Sequence, residues 1–143
     1  MSTPVITRDD FQQHADAKLD EAEVLLYAGR WSGGLYLAGY AVELAIKACI
    51  IKKLMATDAF PDKEFSRKCY THELKQLFKR AGLTTAFDAA LAADPRLRSN
   101  WLVVDDWSEA YRYERADEVE ARTLFEAISD PAHGVLTWIK TCW

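Results

Sequence analysis

The chain has 143 residues, half of them hydrophobic and 28% charged, which excludes disordered, collagen-like and low-complexity classes. That length fits a single domain over residues 1–143, able to bury about 68–70% of its unfolded surface without disulfide staples. A net charge of −4 argues against a dedicated nucleic-acid binder, and six Gly with four Pro are few for a turn-rich all-β chain.

The first helix is predicted to begin at Thr7, whose hydroxyl can cap exposed amide donors while Asp10, three residues on, suits the helix dipole. Phe11, Ala15, Leu19, Ala22 and Leu26 then form one apolar stripe, which Gly29 ends. A second helix from about Ser32 to Met55 is apolar nearly all round, so it belongs at the centre. Gly33, Gly34 and Gly39 weaken it as an isolated helix, and close approach of a neighbour is their return. Glu43 and Lys47 stand at i,i+4 in the favourable order for an ion pair on a helix face. Each would cost about 2.5–3.5 kcal/mol at a bilayer centre, so a buried helix is expected rather than a membrane span.

Residues 56–70 read as a polar connection around Pro61. Thr71 is placed to cap a short helix carrying Leu74, Leu77, Phe78 and Ala81, stopped by Gly82 with Leu83 in a hydrophobic cap contact. Another helix starts at Thr84 or Thr85, runs through Phe87, Ala90 and Leu91, and closes before Pro95. The segment from Asn100 to Glu114, rich in Trp, Val and Tyr, is read as an irregular loop, because an isolated strand has no partner here. Trp101 and Trp107 within it are assigned to the core. Helix resumes near Asp117 with Val119, Leu124, Phe125 and Ile128, Asp130-Pro131 interrupts it, and Val135, Leu136, Trp138 and Ile139 bury the end. The expected fold is all-α: an antiparallel four- to five-helix bundle with an irregular packed loop around residues 95–116.

Three cysteines, Cys49, Cys69 and Cys142, cannot all pair within one chain, and no CxxC or Cys/His spacing suits zinc, so neither metal nor cofactor is expected. The amino-terminal MSTPVITRDD lacks the regions of a signal peptide, which points to the cytoplasm. No serine has a G-x-S-x-G context, and Gly33-Gly34 lacks the preceding strand and the Lys of a phosphate loop. Charge is uneven: residues 63–80 set Lys63, Arg67, Lys68, Lys75, Lys79 and Arg80 against Glu64 and Glu73, a local charge of +4.

The stretch from Gly29 to Ala48, GRWSGGLYLAGYAVELAIKA, followed by Thr71-His72-Glu73-Leu74 and Ala81-Gly82-Leu83, resembles the HEPN domain family of bacteria and archaea. Trp101, Trp107, Arg112-Tyr113-Glu114 and the ending from Asp130-Pro131 to Lys140 are similar to members of the same family. The resemblance covers most of the chain. It implies a small helical bundle, a homodimer, and one of two activities. Many HEPN domains are metal-independent RNases in which Arg, followed four to six residues later by His, holds the phosphate while His assists attack by the ribose hydroxyl. Others lack the motif and act as non-catalytic partners, often of a small nucleotidyltransferase or within toxin–antitoxin pairs, or bind nucleotide or RNA.

The late segment here reads Arg112-Tyr113-Glu114-Arg115, and the next histidine is His133. The late catalytic motif is therefore missing, which favours a non-catalytic, dimeric binding or assembly domain. Its expected ligand contacts are Arg112, Tyr111, Tyr113 and Lys68, with nucleotide or RNA as ligand and a nucleotidyltransferase as partner. Arg112 has a structural alternative, an ion pair with Glu114 or Asp117. The competing reading is an RNase built on Arg67 and His72, which fit the spacing, as do the less suitably placed Arg8 and His14. The plainest alternative is a helical interaction module without a nucleotide ligand. His14 and His133 read as surface or boundary residues.

Overall fold

The computed structural model describes residues 5–143; residues 1–4, the start of the stretch read above for a signal peptide, lie outside them. Among the described residues the chain is all-helical, with eight α-helices, one 3-10 helix and no strand. Helix α1 spans Arg8–Tyr27. The Thr7 hydroxyl accepts the Asp10 amide at 3.1 Å and the Asp10 carboxylate accepts the Thr7 amide at 2.9 Å, so two otherwise orphaned donors are satisfied reciprocally. Gly29, at φ +73°, turns the chain into α2, Trp31–Thr57. Joined by so short a link, α1 and α2 lie side by side, and a Cβ on Gly34 would stand 2.7 Å from the Leu26 side chain. That is the close approach the α2 glycines were expected to allow.

Helix α2 is the axis of the bundle, in contact with α1 and with the later helices described below. It is long and apolar enough to cross a membrane by length and composition, yet 72% of its most apolar window is buried inside the fold. Its carboxyl end is followed by α3, Lys63–Lys68, where the sequence suggested only a polar connection. The Asp62 carboxylate explains the difference, because it caps α3 by accepting the Phe65 amide at 2.7 Å.

Helix α4 covers Leu74–Arg80 and begins later than a Thr71 cap would require. Thr71 instead uses its hydroxyl to accept the Glu73 amide at 3.2 Å, which fixes the extended approach to the helix. Gly82 at φ +69° ends it, and the Leu83 amide donates back to the Phe78 carbonyl at 3.0 Å. Helix α5, Thr84–Ala93, follows.

Residues 95–116 correct the loop expected there. Pro95–Asp105 is a helix, α6, whose first turn is capped by the Asp94 carboxylate on the Arg96 and Leu97 amides. Leu97, Trp101 and Val104 recur at four and three residues and are all buried, so helical burial outweighs the extended preference of Trp, Val and Val. Trp101 meets Phe87 edge-on at 5.0 Å, and Phe78 stacks on Phe87 at 4.5 Å. After α6 a bend carries buried Trp107 into a 3-10 helix, Glu109–Tyr113. Helix α7, Glu118–Ser129, is capped by Asp117, and α8, Val135–Lys140, follows the turn after Asp130. Beyond α1, helices α4, α7 and α8 and the 3-10 helix all pack on α2.

Candidate functional site

Glu43 sits in the middle of α2 and is only 1% exposed. A buried carboxylate is costly unless both oxygens find partners. Here they do: Lys47 Nζ stands 3.2 Å from Oε2, and His72 Nδ1 lies 2.9 Å from Oε1. The extended approach to α4, pinned by Thr71, delivers His72 to this position across 29 residues of sequence. The other imidazole nitrogen, Nε2, faces Glu109 Oε2 at 3.4 Å. Glu109 in turn meets Arg112 Nη2 at 3.4 Å through its second oxygen. Lys47, Glu43, His72, Glu109 and Arg112 thus form one connected polar row that passes through the buried Glu43.

A cleft of about 570 Å³ opens beside this chain, between Thr71–Lys75 and the segment from Asp105 to Ala110. Trp107 forms part of its wall and is buried against α2. Gly39 makes that contact possible, since a Cβ there would lie 2.2 Å from the Trp107 indole. Tyr36 stacks on Trp107 at 6.1 Å, and Tyr40 lies parallel to Tyr36 at 6.0 Å. Burial, and then the Glu43 charge, push the Tyr40 phenol above its usual value.

The sequence-predicted contacts fall into separate groups. Arg112 lies over the Tyr113 ring at 4.8 Å, and its ion pair with Glu109 replaces the Glu114 or Asp117 pairing expected for a structural role. One 3-10 turn places residues i and i+3 on the same side, whereas Asp117 is occupied in capping α7. Tyr111 donates its hydroxyl to Asp106 at 2.9 Å; burial first, and that carboxylate second, push its pKa up to about 12. Lys68 pairs with Glu64 at 3.0 Å on α3. Arg67 is exposed on the same helix, and among the described residues no hydrogen bond or ion pair joins it to His72. His133, read as a boundary residue, bonds the Asp94 carboxylate at 2.7 Å.

Among the described residues no group of three or more His, Cys, Asp and Glu side chains is arranged to hold a metal ion. Sequence reasoning missed Tyr36 and Tyr40 as site residues, Trp107 as the neighbour that Gly39 admits, and the link between Glu43 and His72. An acid within the most apolar run of the chain was the one available signal for that link.

Compared with known families, the chain matches the model described as HEPN domain over residues 9–142. The chain belongs to the HEPN family. Neither curated proteins nor solved structures return a match. Within this HEPN domain, the family-like stretch from Gly29 to Ala48 supplies Tyr36, Gly39, Tyr40, Glu43 and Lys47, and the Thr71-His72-Glu73-Leu74 piece supplies the histidine. These two pieces therefore meet beside Glu43.

Proposed function

We propose that this HEPN protein is a non-catalytic, homodimeric binding and assembly domain that takes a phosphate-bearing ligand, nucleotide or RNA, at Arg112. The observation that carries this reading is the environment of His72. Each imidazole nitrogen faces a carboxylate, Glu43 at 2.9 Å and Glu109 at 3.4 Å, and Arg67 makes no bond to it. An RNase of the Arg/His type needs the arginine and the histidine on the same phosphate, so the absence of a bond between Arg67 and His72 supports the non-catalytic reading. Arg112, by contrast, is held by a solvent-facing i,i+3 ion pair with Glu109 and by its contact with the exposed Tyr113 ring, both of them weak. A phosphate can displace Glu109 and accept two parallel bonds from the guanidinium, while the exposed Tyr113 ring offers a stacking surface for a base. A small nucleotidyltransferase is the protein partner this reading favours.

The test is incubation of fluorescently labelled single-stranded RNA with the purified protein in EDTA. The RNA is expected to remain intact and to be bound with salt-dependent affinity. Cleavage that vanishes in His72→Ala would overturn the proposal in favour of a metal-independent RNase. Absence of both cleavage and binding, for RNA and for nucleoside triphosphates, would leave the plain interaction module.

A further inference from the structure

His72 is the one member of the polar row whose kind changes charge between about pH 5 and 8. The other four members balance one another. Lys47 Nζ stands 3.2 Å from Glu43 Oε2, and Arg112 Nη2 stands 3.4 Å from Glu109 Oε1. Each carboxylate therefore has its own cation, and the row is neutral when the imidazole is neutral. A neutral imidazole carries a single N–H. Given from Nδ1 to the buried Glu43 at 2.9 Å, where an unmet acceptor costs most, it leaves the Nε2 lone pair toward Glu109 Oε2 at 3.4 Å.

The remaining charged groups near His72 do not upset this balance. On α2, the Tyr40 phenol is pushed above its usual value by burial and then by Glu43, so it stays neutral in this range. On α4, Lys75 is paired with Asp105 of α6 at 3.1 Å. Glu73, next to His72 in the chain, is exposed and screened by solvent. The His72 side chain lines the cleft and is 42% exposed, so protons reach it from solvent.

We propose that His72 takes up a proton when a phosphate-bearing ligand binds, with Glu109 as the link between the two. The inference rests on the reading of Arg112 as the phosphate contact. A phosphate that takes the Arg112 guanidinium leaves Glu109 without its cation. One proton from solvent, added at Nε2, restores the charge: the imidazolium donates from Nδ1 to Glu43 and from Nε2 to Glu109. By reciprocity, the ligand raises the proton affinity of His72 by the factor by which the proton raises ligand affinity. Binding therefore tightens as pH falls through the histidine range and levels off below it.

The experiment is titration of a fluorescent single-stranded RNA without terminal phosphates, whose phosphodiesters keep their charge in this range, at constant ionic strength. Wild-type affinity is expected to rise about fivefold or more from about pH 8 to about pH 6. Calorimetry in two buffers of different ionisation heat should show proton uptake on binding near neutral pH. Glu109→Gln removes the link, so RNA should still bind, with the fivefold dependence and the proton uptake lost. His72→Gln, which keeps an N–H for Glu43, should behave alike. Melting curves at both pH values check that each variant is folded. The general loss of negative charge on acidification acts on wild type and variants alike, so the difference between their profiles is the readout. Equal profiles in wild type and Glu109→Gln, or binding without proton uptake, would overturn the proposal and leave Arg112 standing as the ligand contact. A dependence lost in His72→Gln but kept in Glu109→Gln would also overturn it, because His72 would then act on the phosphate directly. No RNA binding at any pH would overturn the Arg112 reading and this proposal together.

Discussion

Gly39→Ala places a methyl group where the structure has a tryptophan ring. The added Cβ would lie 2.2 Å from two atoms of the Trp107 indole and 2.4 Å from a third. Ordinary contact needs 3.4–4 Å, so the ring must retreat by more than 1 Å. Trp107 is 5% exposed and stacked on Tyr36, which leaves it little room to do so. Overfilling a well-packed interior costs about 1–3 kcal/mol, while Ala recovers about 1 kcal/mol of helix propensity over Gly. The overlap exceeds 1 Å, which calls for the upper end of that cost, so the net expectation is destabilisation by up to about 2 kcal/mol, a fall in Tm of up to roughly 7 °C for a domain of this size. Thermal unfolding followed by far-UV circular dichroism measures it, and near-UV bands report the displaced indole. Gly33→Ala is the control: its Cβ would meet only the flexible Leu25 side chain, at 3.2 Å, so its Tm should hold or rise. A Gly39→Ala protein as stable as Gly33→Ala would refute the reasoning, because helix propensity alone would then decide both.

Further expectations concern charge and reactivity. The His133 hydrogen bond, chiefly, holds the Asp94 carboxyl below its ordinary 3.8, so the stabilisation is present above that value and is lost as pH falls through the lowered folded value. Asp94→Asn keeps a capping oxygen, so its Tm deficit near neutral pH should close in acid; a deficit constant with pH contradicts the pairing. Burial pushes the Cys49 thiol up to about 12, so iodoacetamide at about pH 8 should spare Cys49 in the native protein and modify it after guanidinium unfolding. Peptide mapping that finds Cys49 labelled first in the native protein would contradict its burial. Glu109→Gln removes the carboxylate that competes for Arg112 and His72, so RNA or nucleotide binding should tighten severalfold by fluorescence titration. Weaker binding would show that Glu109 orients Arg112 rather than competing for it.

Much of the fold was legible because its signals are local. Thr7 with Asp10, and the two positive-φ glycines Gly29 and Gly82, mark helix ends within four residues of sequence. The 95–105 helix was legible in principle, since Asp94 before Pro95 is a helix start and Leu97, Trp101 and Val104 share one face. The aromatic and β-branched run that follows favours an extended reading, and only burial against Phe78 and Phe87 decides otherwise. The site was less legible because its contacts are distant in sequence. Glu43 and Lys47 declare themselves one helical turn apart, but nothing in either residue announces His72, 29 positions later. Likewise, Gly39 signals a close approach without saying that Trp107 makes it.

Arg112 is either a ligand contact or a structural one, and a single variant decides between them. Its side chain is 45% exposed and its ion pair is a solvent-facing i,i+3 contact, so truncation should hardly disturb the fold. Arg112→Ala and the wild type are compared in one series for Tm and for affinity toward single-stranded RNA and nucleoside triphosphate across a salt range. Loss of a ligand contact should reduce affinity roughly tenfold or more, with a shallower salt dependence and an unchanged Tm. A lowered Tm with affinity intact would contradict it, and would return Arg112 to the framework of the bundle.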